Sequence, residues 1–218
     1  MDSLYAIVEF FVTGGIFMYP ILAVCAVGAA IAIERFIMLK VVTAKNRAMW
    51  SKLQPLVAER QFEQARELTA KDNSTIAQLL NVGLERQGAV RRRDDIEIAM
   101  EECMMEILPQ LEKRTAYVGL AANIATLLGL LGTIMGLIQA FTAVANANPA
   151  EKADLLSASI SVAMNTTAFG LLVAIPLLVM HAVLAQKTGQ IVAALEMASV
   201  KLLNAVHSTA KRQFQVAA

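Results

Sequence analysis

Uncharged polar side chains embedded in long apolar runs are where this sequence could do chemistry. Ser157, Ser161 and Asn165 recur at i, i+4 spacing, which lays them along one helix face, and Thr166 and Thr167 widen the stripe. A hydroxyl is cheap in an apolar setting because it can bond back to a backbone carbonyl one turn earlier. An amide such as Asn165 needs partners, so the stripe fits a wet lining or packing against another helix. In the preceding apolar run, Gly129, Thr133, Gly136 and Ala140 recur every three or four residues and give a face of small residues that lets helices approach closely. Thr133 puts a hydroxyl on that face. Candidate lining residues are therefore Thr133, Ser161, Asn165, Thr166 and Thr167; candidate packing residues are Gly129, Gly132, Gly136, Gly170 and Pro176. Pro176 breaks a backbone hydrogen bond and is expected to bend its helix.

The remaining chemistry is thin. His181 and His207 stand alone, without metal-ligand spacing. Cys25 and Cys103 are far apart and read as packing residues, as does Trp50. No nucleophile–base set, phosphate loop or zinc-peptidase motif is present, so the reading is of a protein that is not an enzyme and carries no cofactor. Arg91, Arg92 and Arg93 are followed at once by Asp94, Asp95 and Glu97, a pattern that fits a solvated helix start better than a nucleic-acid contact.

The elements that must position these residues follow from composition. The 218 residues are 57% hydrophobic and 17% charged, against about 45–50% and about 25% for a soluble domain, and mean hydropathy is +0.56. The excess is concentrated in three stretches free of Asp, Glu, Lys and Arg, each long enough for the roughly 20 residues that cross a bilayer. The expected spans are 10–33, 117–141 and 158–185, separated by a long region 34–116 and a short loop 142–157, with an outer segment 1–9 and a tail 186–218. Asp2 and Glu9, with a long apolar run, argue for a retained first span over a cleaved leader.

Charge orients the spans. Of 19 Lys and Arg, 14 lie in 34–114, four follow the third span, and Lys152 alone lies in the short loop. This bias places 34–116 and the C-terminus in the cytoplasm and the N-terminus outside. Region 34–116 reads as helices over 44–60, 62–71 and 75–87, broken at Asp72-Asn73-Ser74, with Gly88 as a stop. Asp94 or Asp95 is expected to cap a helix running unbroken to Phe141, bent at Pro109, and the turn 146–149 ends this segment. A last helix starts near Asp154 and passes Lys201. Glu34 and Arg35 are expected to anchor the first span, and could pair with each other. The fold class is an all-α membrane protein with three transmembrane helices, two of them extended into a helical cytoplasmic region.

The run 128–141, LGLLGTIMGLIQAF, resembles the G-L-x-G-T-x-x-G-x-x-x-x-F signature of the ExbB/TolQ/MotA proteins, and 166–176, TTAFGLLVAIP, resembles their T-x-x-G-L-x-x-A-I-P signature. Three spans with a large helical insertion between the first two match the ExbB/TolQ branch. The resemblance implies a homopentamer around a dimer of a single-span ExbD/TolR-like partner whose helix carries an Asp. It further implies proton or sodium flow past that Asp, and a rotary motor energising outer-membrane transport through a TonB-like protein in the inner membrane. TolQ-like envelope maintenance, a stator-like role, or a scaffold without ion flux are the alternatives. By position Thr133 and Thr167 match threonines of the family's ion route. The family's Glu eight residues before the third-span glycine is Val162 here. The spans thus offer no ionisable Asp, Glu, Lys or Arg, and a partner would have to supply the carboxylate.

Overall fold

The computed structural model describes residues 14–89 and 93–216. The segment 1–9, the first residues of the expected first span, and Arg91 and Arg92 lie outside the described residues. Among the described residues the chain is helical, without strands: α1 Met18–Ala58, α2 Phe62–Ala70, α3 Thr75–Ala89, α4 Arg93–Glu112, α5 Thr115–Asn146 and α6 Lys152–Val216. Contacts divide them into two compact units, one of residues up to Arg35 with Arg114–Val183, the other of Phe36–Lys113 with the residues from Leu184 on.

The first unit holds the opening half of α1, all of α5 and the opening part of α6. Its buried residues are mostly small, among them Ala32, Ala122, Ala125, Ala140, Ala163 and Ala174, while Tyr19, Val27, Leu127, Leu172 and Ile175 are exposed. Three helices here are long and apolar enough to cross a membrane, yet only 22%, 28% and 33% of their most apolar windows are buried within the chain. Water cannot solvate so much apolar surface at acceptable cost, so lipid or other helices must cover the rest.

The second unit has the opposite pattern, with large aliphatic residues inside: Leu39, Leu53, Leu79, Leu80, Ile96, Met100, Leu195 and Leu202. Helix α2 packs on α3 and α3 on α4. Asn46, buried on α1, ties down the start of α3: its amide exchanges hydrogen bonds with the Thr75 hydroxyl at 2.7 and 3.0 Å, and its carbonyl accepts the Ile76 N–H at 3.3 Å. The Ser74 N–H donates to Asp72 at 2.7 Å, and the Ser74 hydroxyl accepts from Ala77 N–H in the manner of an N-cap.

Three boundaries differ from the sequence expectation. Helix α1 runs without a break from the apolar run through 34–43 to Ala58, because nothing in Glu34–Thr43 stops it. It ends in a Schellman motif with Arg60, φ 63°, in the left-handed position usually given to Gly; Gln61 N–H reaches Leu56 C=O at 2.9 Å and Arg60 N–H reaches Val57 C=O at 3.3 Å. The expected continuous helix to Phe141 breaks at Lys113–Arg114, where Arg114 has φ 63°, and Pro109 remains inside α4. Asp94 and Asp95 lie in the first turn of α4, suiting the positive end of its dipole, rather than at the cap.

Candidate functional site

The small-residue face of α5 and the polar stretch of α6 meet in an antiparallel seam. A Cβ placed on Gly136 would sit 2.7 Å from Ala163 Cβ, one on Gly132 would overlap Thr166 Cγ2, and one on Gly170 would sit 2.8 Å from the Ala125 carbonyl and 3.0 Å from Gly129 Cα. The two backbones therefore nearly touch around Gly129 and Gly170, a separation that side chains would forbid. The buried face is Gly129, Gly132, Gly136 and Ala140, with Thr133 half-buried at its edge rather than on its centre line. Pro176 lies inside α6 with its ring exposed, away from this seam.

The threonines are held individually. Thr166 is 2% exposed and donates to the Gly14 carbonyl at 2.6 Å, with the Val162 carbonyl also in reach at 2.9 Å. It fills the space left by Gly132 and fastens the chain just before α1. Thr167 donates across the seam to the Gly129 carbonyl at 2.8 Å, and Thr133 donates to its own helix at Leu130 C=O, 2.6 Å. Val162, at the position of the family's Glu, packs its Cγ1 about the Gly15 backbone, where an added Cβ would lie 3.1 Å away. Gly15 itself has φ 77°. The role of the Gly14-Gly15 pair was not drawn from the sequence, though two adjacent glycines before an apolar run are a signal of close backbone approach.

Ser157 and Ser161 are exposed and Asn165 is half-buried, so the i, i+4 stripe stays at the surface of this chain instead of joining the seam. The structure brings together Gly129, Gly132, Gly136, Gly170, Thr166 and Thr167 and leaves Ser161 facing outward. At the far end of the unit, Glu34 pairs with Arg114 through two bonds of 3.0 and 3.1 Å to one guanidinium nitrogen. Arg35 is buried, and burial pulls its guanidinium below its ordinary pKa, opposed by the charge of Glu34. His181 lies against Gly119, where an added Cβ would sit 3.2 Å from the imidazole Cδ2. Among the described residues no cluster of His, Cys, Asp and Glu could hold a metal.

The sequence pattern of the MotA/TolQ/ExbB proton channel family matches residues 71–197, more than half the chain and the whole of the seam. The chain belongs to this family. It is 29% identical over 185 residues to a biopolymer transport protein ExbB homolog of Methanothermobacter thermautotrophicus, covering 80% of this chain and 61% of that protein. It is 25% identical over 190 residues to a biopolymer transport protein ExbB-like 3 of Synechocystis sp., covering 82% of this chain and 90% of the relative. A 53-residue stretch is 49% identical to biopolymer transport protein exbB1 of Vibrio cholerae, covering 24% of this chain and 23% of that one. Family membership and three long apolar helices together make this a multi-pass membrane protein of a channel family, not an enzyme family.

Proposed function

We propose that this chain is the ion-conducting scaffold subunit of an inner-membrane, ion-driven rotary motor that energises outer-membrane transport. The observation that carries the reading is the polar stripe Ser157, Ser161 and Asn165, left uncovered by the chain itself on a span that carries no charged side chain. A polar face at membrane depth needs a polar neighbour or water. The partner that fits is a single-span, ExbD/TolR-like dimer supplying an intramembrane Asp, enclosed by a homo-oligomer of this chain, a pentamer by resemblance. The ion, proton or sodium, is carried past that Asp, with the Thr133 and Thr167 oxygens, Asn165 and Ser161 along its route. The N-terminus is periplasmic and the second unit cytoplasmic, following the excess of Lys and Arg in 34–114.

Flux into proteoliposomes holding the chain with its partner tests this, with proton and sodium gradients applied separately. Flux under one gradient is expected, with a marked fall in the Thr133→Val, Thr167→Val double variant. Absence of flux from an intact complex under both gradients would leave a structural scaffold. Full flux from the double variant would remove those threonines from the route.

A further inference from the structure

The second unit carries a groove and a ridge that complement each other, on different faces of the same chain. The groove runs between α1 and α6 on either side of Trp50. One cavity of about 240 Å³ is lined by Thr43, Arg47, Trp50, Gln190, Ala194 and Met197, among others, and a second of about 330 Å³ lies between Trp50, Gln54, Arg60 and Lys201. Lys201 stands over the Trp50 ring at 5.5 Å. The groove is thus apolar at its floor and basic at its rims. Among the described residues, neither Arg47 nor Lys201 has a carboxylate within ion-pair range.

The ridge is the outer face of α4. Ile98 and Met105 are 53% and 72% exposed and lie two turns apart on one line. Exposed Asp94 and Glu101 flank that line on one side, Glu102 and Glu106 on the other, and α4 has no Lys or Arg from Asp94 to Glu112. An apolar ridge edged in carboxylates is the counterpart of an apolar groove edged in cations.

The two also match in order. Glu102, Ile98 and Asp94 follow one another along α4 at steps of about 6 Å. In the groove Arg47, Trp50 and Lys201 follow in turn, with Lys201 beside the Trp50 ring.

From these observations we infer that the α4 ridge of one copy docks in the α1/α6 groove of the next, Ile98 against Trp50 and Met197, Glu101 and Glu102 against Arg47, and Asp94 and Asp95 against Lys201. Ridge and groove are different surfaces, so the contact is head-to-tail. With all copies upright in one membrane it closes into a ring. The inference rests on the homo-oligomeric reading above and names the cytoplasmic contact that reading requires.

The test uses the full chain in native membranes with Cys25→Ser and Cys103→Ser. Ile98→Cys is carried by one tagged copy and Met197→Cys by a differently tagged copy; both positions are exposed, so folding is undisturbed. Mild oxidation is expected to give a mixed-tag disulfide dimer, and a chain carrying both substitutions a ladder of higher species. Arg47→Glu in the Met197→Cys copy should lower the cross-linked yield several-fold. Glu101→Arg with Glu102→Arg in the Ile98→Cys copy should restore it. Native mass spectrometry of the same samples separates the two ideas. An intact oligomer without mixed-tag cross-link, or with Ile98→Cys pairing only to itself, overturns the inference alone. A monomer overturns the homo-oligomeric reading with it.

Discussion

Replacing Gly170 by Ala tests the seam most sharply, because the atoms that would meet the new methyl are backbone and cannot rotate away. The added Cβ would lie 2.8 Å from the Ala125 carbonyl oxygen and 3.0 Å from Gly129 Cα, where ordinary contact begins at 3.4 Å. Helices α5 and α6 must therefore part by about half an ångström along the seam, straining the 2.8 Å bond from Thr167 to Gly129 C=O. Overpacking of this kind costs about 1–3 kcal/mol, against a gain of up to about 1 kcal/mol for Ala over Gly in a helix. The net expectation is a loss of about 1–2 kcal/mol. Gly189, on the same helix, has nothing within 4 Å of its missing Cβ, so Gly189→Ala should gain about 0.5–1 kcal/mol. Unfolding both variants with SDS in mixed micelles, followed by circular dichroism, should separate them by about 2 kcal/mol. If Gly170→Ala proves as stable as Gly189→Ala, the backbones do not approach as described and the seam argument fails.

Asn46→Ala should destabilise the second unit by about 1–3 kcal/mol, since it strands Thr75 and the first turn of α3; thermal unfolding read by the fluorescence of the sole tryptophan, Trp50, one turn away, measures it. Hydrogen bonds from Ser74 hold the Asp72 carboxyl below its usual range. A depressed carboxylate contributes stability above its unfolded pKa of about 4 and loses it as pH falls through the folded value, so Asp72→Ala should differ from the parent at pH 7 and converge with it in acid unfolding. Burial, aided by the charge of Glu106, pushes the Cys103 thiol up, so less of it is thiolate at pH 8. Maleimide should label Cys103 several-fold more slowly than an unhindered cysteine, with the ratio shrinking as pH rises.

Spans and turns were legible where composition alone decides them. Gaps in charge marked three apolar helices, and Asn146 with Pro149 marked where α5 ends, because those residues act locally. The break at Lys113–Arg114 was not legible: neither residue prefers a left-handed backbone, and the ion pair from Arg114 to Glu34 joins positions 80 residues apart. The same limit applies to the seam. Glycine spacing announced a close-packed face, but that the face runs through Gly132, putting Thr133 at its edge and Thr166 under Gly14, depends on how α6 and the start of α1 are set against α5.

The direction of the hydroxyl bonds has a consequence for the kind of conduction these helices can support. A carbonyl oxygen has no proton to give, so in each of these contacts the threonine must spend its own: Thr126 to Ala122, Thr133 to Leu130, Thr166 to Gly14 or Val162, and Thr167 to Gly129. What the half-buried Thr133 and Thr167 retain for a visitor is their lone pairs. A relay in which protons hop from one oxygen to the next needs every member to receive one hydrogen and release another, and these hydroxyls have none to release without breaking a bond to the backbone. They present an acceptor-only surface, suited to steadying a hydrated cation, hydronium or sodium, that passes as a body. On the proposed function, hopping would belong to water and to the partner's carboxylate, with Thr133 and Thr167 serving as the wall.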